Sequence, residues 1–208
     1  MAKTKPFDLY FNEYDKWFED NDKIYLSELN AIKRFIPNDK LGIEIGVGTA
    51  KFASPLSIRF GIEPSKRMAK ISKEKGIKVI KGVAENLPLK KESMDFILMV
   101  TTICFVDDIK KSLNECYMAL KKEGFIVIGF VDKESDLGKL YIKKREKSKF
   151  YKEATFYSTK EVLGYLKKAG FIHFDIVQTI YKNQNISVQP VKSGYNEGSF
   201  IVIKGYKN

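Results

Sequence analysis

The stretch Glu44-Ile45-Gly46-Val47-Gly48-Thr49-Ala50, with Glu63 beyond it, decides how this chain reads. The run from Leu41 to Ile45 has the texture of a buried strand, and the two glycines end it in a sharp turn. Glycine at 46 and 48 removes side chains where the backbone must turn and approach a ligand closely. Glu63 closes a second apolar run, IRFGIE, 19 positions after Glu44. At that spacing a second-strand carboxylate can accept hydrogen bonds from ribose hydroxyls. Together the two features read as a nucleoside site. A dinucleotide fingerprint G-x-G-x-x-G requires a third glycine at 51, where the chain has Lys51, so a nicotinamide cofactor is disfavoured.

Outward from this turn, short apolar runs alternate with helical segments, the pattern of β-α-β units in a parallel sheet. Ser65 is an N-cap and Gly76 a terminator for one helix. IKVIKG, MDFILMV, a helix over roughly residues 108–120 and FIVIGFV follow, which makes five strands by Val131. Ser158-Thr159-Lys160-Glu161 is a capping box that opens a helix running to Gly170. Two further strands are expected near residues 171–180 and 199–205, joined by a polar connection over 182–198. Upstream, Phe7, Tyr10, Phe11, Tyr14 and Phe18 recur at spacings of three and four and predict a helix with an aromatic stripe. Tyr25, Leu29, Ile32 and Ile36 predict a second, stopped by Pro37. The segment after Thr49 is short and contains Pro55, so the helix there is expected to be truncated. One domain is expected over 1–208, with a helical cap at 1–36, a nucleoside-binding half at 37–131, a charged segment at 132–154 and a final helix and strand pair at 155–208.

A chain of 208 residues, 44% apolar and 13% aromatic, is sized for one globular domain and is not disordered, collagen-like or a disulfide scaffold. No apolar run reaches the roughly 18–20 residues of a membrane span. Charges scattered through MAKTKPFDLYFNEYDKWFEDN leave no signal-like apolar core, so a cytoplasmic location and no membrane partner are expected. One histidine with Cys104 and Cys116 offers no cluster for a metal. The net charge of +11 comes from 37 Lys+Arg against 26 Asp+Glu, and only Arg34, Arg59, Arg67 and Arg145 are arginines. Lysine dispersed in this way fits a solvated surface better than a polynucleotide groove.

On EIGVGTA, IEPSKRM, GVAENLPLKKESMDFI and LNECYMALKKEGFIVI the sequence resembles the class I S-adenosylmethionine-dependent methyltransferases, in particular the small methyltransferases of the type 11 kind. The resemblance covers most of the chain. It implies an α/β, Rossmann-like three-layer sandwich on a seven-stranded, mostly parallel sheet of order 3-2-1-4-5-7-6 with one antiparallel strand and an N-terminal helical extension. It also implies S-adenosylmethionine (SAM) as methyl donor and S-adenosylhomocysteine as product; no metal is expected, on the histidine and cysteine count above. Carried over by residue, it implies that Gly46 and Gly48 line the methionine moiety and that Glu44 orders their loop. Glu63 would hold the ribose hydroxyls, Met68 would lie against the adenine, Ala84 would offer it a backbone amide, and Thr101 would border the sulfonium. Ala50 replaces the motif's last glycine. Val83 stands where many relatives carry an acid for the adenine amino group, a contact that Glu85 can take over. Tyr14-Asp15-Lys16-Trp17 resembles a segment that covers the cofactor, which adds Tyr14 and Trp17.

Methyl transfer from a sulfonium is an in-line displacement at an activated carbon, so positioning carries much of it and a base is needed only for a protonated nucleophile. No residue is assigned a catalytic role. Cys104 reads as a small buried hydrophobe. His173, alternating with Ile172, Phe174 and Ile176, reads as a solvated or structural residue on the face of Asp175. In this fold the elements before the first strand and after the fifth form the substrate lid, here residues 1–36 and 132–154. The lysines of the second segment, among them Lys139, Lys143, Lys144, Lys147, Lys149 and Lys152 beside Arg145, read first as a solvated face. Turned toward the site, they favour an anionic small-molecule acceptor. An RNA methyltransferase is the alternative enzyme, disfavoured because recognisable base-gripping motifs are absent. A SAM-binding regulatory protein without transfer activity is the alternative outside catalysis.

Overall fold

Strand β1 (Gly42–Ile45) is buried along its whole length, the condition of a strand with helices on both faces of its sheet. The computed structural model describes residues 3–208; Met1 and Ala2, part of the expected cap, lie outside them. The other strands are β2 (Phe60–Ile62), β3 (Lys78–Ile80), β4 (Met94–Val100), β5 (Leu120–Val131), β6 (Phe171–Thr179), β7 (Lys192–Ser193) and β8 (Phe200–Lys207). They form one sheet of order β3-β2-β1-β4-β5-β8-β6-β7. The five strands from β3 to β5 pair in parallel, and β8 lies antiparallel between β5 and β6. The expected order is therefore present, with an eighth strand added. That strand, β7, is a two-residue edge pairing with β6 inside the polar connection, too short to leave a period in the sequence.

Period-2 alternation sorts the sheet into two cores. Ile43, Ile45, Ile97, Met99, Ile126 and Ile128 face one side, where they meet Leu113 and Cys116 of α5 (Ile109–Ala119) and Val162 and Leu166 of α7 (Thr159–Lys168). Phe96, Leu98, Val100, Phe125 and Val127 face the other, against Phe18 of α2 (Phe11–Asp20) and Ile24, Ala31 and Ile32 of α3 (Asp22–Lys33). Two helix starts carry the side-chain caps read from sequence: Ser65 accepts from Met68 N at the head of α4 (Lys66–Glu74), and Ser158 and Glu161 form the reciprocal box of α7.

Four local expectations are corrected. The aromatic N-terminal stripe is not one helix: α1 (Lys5–Leu9) and α2 meet at Tyr10, whose φ of −115° and ψ of 28° leave the helical region. On α3 the buried residues are Ile24, Ser27, Glu28, Ala31 and Ile32, a stripe rotated from the expected one that takes an acid inward. Residues 49–57 form successive turns and no regular helix. His173 does not alternate with its neighbours, because it is the extra residue of a bulge between Ile172 and Phe174, with φ 48°.

Candidate active site

The strand-to-turn passage after β1 is built by residues that grip its backbone. Gly46 and Gly48 have φ of 70° and 54°, and Ala50, where the motif would place glycine, also stands in the left-handed region at 62°. A side chain at 46 would meet Thr102, whose Cγ2 lies 2.6 Å from an ideal Cβ position, and Thr102 Oγ1 donates to the Ile45 and Val100 carbonyls. Gly48 N donates to Glu63 Oε2 at 2.9 Å, and Ser65 N donates to Oε1 at 2.9 Å. Ser72 Oγ and Lys75 Nζ donate to the Gly48 and Thr49 carbonyls. From α2, Asp15 accepts from Thr49 Oγ1 and pairs with Lys51 at 3.5 Å, which gives the residue that broke the dinucleotide pattern a structural role.

Two acids beneath this loop are buried. Glu44 is held by the Ala53 backbone N–H, while its Oε2 is buried without a partner, and burial raises its carboxyl well above the ordinary range. Glu63 is pushed up to about 7 by burial, against the pull of its two backbone donors. Each Glu63 oxygen has further acceptor capacity, and the side chain borders an open chamber of about 640 Å³, a volume in the ligand-pocket range. The fit for a ribose-bearing sulfonium rests on this arrangement: a loop free of Cβ atoms at two positions, and beside it a carboxylate with acceptor capacity to spare.

Of the expected residues, Gly46, Gly48, Glu63, Met68, Ala84, Glu85, Thr101, Tyr14 and Trp17 all border this chamber, as does Val83. Glu44 sits behind the loop and does not. Glu85 Oε1 accepts from the backbone N–H of Asp107 and Asp108, so its carboxylate also holds the loop leading to α5. Thr101 has φ 49°, a left-handed non-glycine position at a strand end. Cys104 stays outside the main chamber; its Sγ donates to the Thr101 carbonyl and burial pushes the thiol up to about 12, so it is no nucleophile at neutral pH. His173 is exposed and does not border the chamber.

The chamber continues beyond the glycine loop into a space walled by aromatic rings. Phe7 contacts both Phe105, with centroids 5.0 Å apart, and Phe150, and Tyr151 stacks between Phe105 and Tyr141. Tyr141 and Tyr151 come from the 132–154 segment, in α6 (Asp136–Lys144) and a 3-10 turn at Tyr151–Glu153. The lysines of that segment are exposed except half-buried Lys133; Lys144 and Lys147 reach the chamber, while Lys149 pairs with Glu13 of α2 at 2.7 Å. Phe105, Thr102 and Glu28 are chamber residues not anticipated from sequence. An acid placed at i+4 from Ile24 and i−4 from Ile32 was the available signal for Glu28.

A methyltransferase-domain family model matches residues 43–128, the span from β1 into β5. A crystal structure of a SAM-dependent methyltransferase from Thermotoga maritima, described as a possible histamine N-methyltransferase, is 52% identical, covers 99% of this chain and 100% of its own, and superposes with a TM-score of 0.96. An uncharacterized Methanocaldococcus jannaschii protein is 48% identical over 97% of this chain and 98% of its own length. A ubiquinone/menaquinone biosynthesis C-methyltransferase of Campylobacter jejuni is 32% identical over 50% of this chain and 40% of its own. The glycine turn and second-strand acid thus lie in a chain similar end to end to a solved SAM-dependent methyltransferase, and the protein belongs to the class I SAM-dependent methyltransferase family.

Proposed function

We propose that this enzyme transfers a methyl group by in-line displacement to a small-molecule acceptor held in the aromatic part of the chamber. The observation that carries this is the continuity of one chamber from the glycine loop and Glu63 to the rings of Phe105, Phe150, Tyr141 and Tyr151. SAM supplies a methyl group already activated by its sulfonium. Gly46 and Gly48 admit its methionine end, Glu63 accepts from the ribose hydroxyls, and Met68 with Ala84 borders the adenine. Tyr14 and Trp17 cover this part from α2, and Glu44 acts from behind by holding the loop. The rings exclude water and orient the acceptor, so positioning supplies the larger part of catalysis. Two of the relatives whose names carry an acceptor or pathway, histamine in one and ubiquinone/menaquinone biosynthesis in the other, also point to small molecules.

Calorimetric titration with S-adenosylhomocysteine, with NADH in parallel, tests the cofactor half. Saturable binding of the homocysteine nucleoside alone is expected, and its loss in Gly48→Val and Glu63→Ala. A correctly folded protein that ignores S-adenosylhomocysteine would overturn the proposal. Bulk RNA that is itself methylated, or that competes with small acceptors, would move the acceptor assignment to RNA.

A further inference from the structure

Glu28 lies on the sheet-facing side of α3, 6% exposed, and borders the aromatic part of the chamber. No hydrogen bond or counter-ion to its carboxylate exists among the described residues, although buried acids are ordinarily paired. What surrounds it is aromatic: its charge acts on the hydroxyls of Tyr14 from α2, Tyr25 on its own helix, Tyr141 from α6 and Tyr151 from the 3-10 turn. Lys3, Lys144 and Lys147 also border the chamber, and none of them pairs with Glu28. Glu44 and Glu63 belong to the glycine-loop part and are held by backbone donors.

A buried acid without a partner, in a chamber lined by aromatic side chains, is complementary to a cation carrying N–H donors. The rings attract it through their quadrupoles, and the carboxylate supplies the counter-charge and accepts its hydrogen bonds. An anionic acceptor could lie beside Glu28 only while the acid keeps its proton and lends no counter-charge, whereas an ammonium group draws the acid into its ionised form. We propose that Glu28 and the rings of Tyr14, Tyr141 and Tyr151 form an ammonium-binding subsite, and that the acceptor is an amine: its ammonium proton passes to the Glu28 carboxylate, and the freed nitrogen lone pair forms the new N–C bond as the S–CH3 bond breaks and the sulfonium leaves as a thioether. This rests on the methyltransferase reading of the chamber and names the acceptor class that the reading leaves open. It also reverses the anionic expectation drawn from the lid lysines, most of which the fold turns to solvent.

Without a ligand, burial pushes the Glu28 carboxyl up to about 8. An ammonium ion paired with it would restore the carboxylate, so binding below that pH must expel a proton, nearly one per site at neutral pH and about half near pH 8. Apparent amine affinity must then rise with pH until Glu28 is ionised in the free protein.

The test is calorimetry on protein saturated with S-adenosylhomocysteine, titrated with phenethylamine, 3-phenylpropionate and 3-phenylpropan-1-ol in buffers of different ionisation enthalpy. The amine is expected to bind at least roughly 30-fold more tightly than either isostere, with buffer-dependent heat that reports proton release. Glu28→Gln is expected to lose roughly 30-fold of amine affinity and all of the proton release, while binding S-adenosylhomocysteine within about twofold of the parent. Equal binding of the carboxylate or the alcohol, no amine binding by protein that binds S-adenosylhomocysteine, or amine binding without proton release at neutral pH overturns the subsite. If Glu28→Gln fails to fold, the proton release of the unaltered protein decides. Failure to bind S-adenosylhomocysteine at all removes the methyltransferase reading first, and is seen in the same cell before any amine is added.

Discussion

Glu63 does two jobs with one carboxylate. It closes the glycine loop by accepting from Gly48 N and Ser65 N, and it borders the chamber with its remaining acceptor capacity. Alanine at this position strands the buried Ser65 donor, at about 1–3 kcal/mol, and the half-buried Gly48 donor, so Glu63→Ala is expected to lower stability by about 2 kcal/mol in urea denaturation. Glu63→Gln keeps one acceptor and is expected to lose less. The same logic explains why the glycine loop was legible in the sequence and its partners were not. A left-handed turn at Gly46 and Gly48 is a local backbone demand, written in residue types. The grip of Asp15 on Thr49 spans 34 positions, and nothing near either residue announces it. Glu28 was hidden for a related reason: an acid on a helix reads as solvent-facing until the docked face of that helix is known.

The 132–154 segment is pinned at its ends by Asp132, at the close of β5. Its Oδ1 accepts from Glu134 N, its Oδ2 accepts from both Thr159 N and Thr159 Oγ1, and its carbonyl accepts from Ser135 Oγ. Ser135 in turn caps α6 through Gly138 N, while Gly138 lies so close to the Asp132 carbonyl that a Cβ would stand 2.0 Å from it. Asp132→Ala orphans a buried amide and a buried hydroxyl and is expected to cost about 2–3 kcal/mol. Because it loosens the ring-bearing segment, it is expected to weaken acceptor binding more than binding of S-adenosylhomocysteine, measured side by side by calorimetry. Ser158→Ala removes one half of the α7 capping box and is expected to cost about 1 kcal/mol in the same denaturation assay, with cofactor binding unchanged. That box was plain in four consecutive residues. The break at Tyr10 was not, since the aromatic spacing runs through it undisturbed, and the turn is set by where α1 and α2 each pack.

Across the molecule, three acids are buried on or near the β1–β2 side with their carboxyls raised: Glu28 to about 8, Glu63 to about 7, and Glu44 in the same direction. Burial is the leading cause in each. In an unfolded chain these groups ionise near 4.3, so between that value and their folded values the native state holds more protons than the unfolded one, and stability falls as pH rises. For Glu28 and Glu63 the contribution is complete below about pH 4, is lost through the range to about pH 8, and is gone above it, each pKa unit amounting to about 1.4 kcal/mol. The ligand-free protein is expected to melt higher at pH 5 than at pH 8, and Glu28→Gln to narrow that difference. Differential scanning calorimetry at the two pH values checks both; an unchanged gap in the variant would show that Glu28 is ionised in the native state.

Chain-local quantities were readable in advance. The strand texture around Ile43 and Ile97, the caps at Ser65 and Ser158, and the glycine turn with its acid 19 positions on are all set by neighbours within a few residues or by one repeated unit. With the resemblance they identified the strand order, SAM as the cofactor and most of the expected residues that border the chamber. Contacts across the fold were not readable: the rotation of α3 that carries Glu28 inward, the bulge at His173, the short β7 edge, and the convergence of Phe7, Phe105 and the Phe150-Tyr151 pair from three segments. Each depends on which surface of an element docks against the sheet, a choice made by summed packing energy over distant residues rather than by local propensity. The cofactor half is therefore written in a motif, while the character of the acceptor half exists only once the chain has closed.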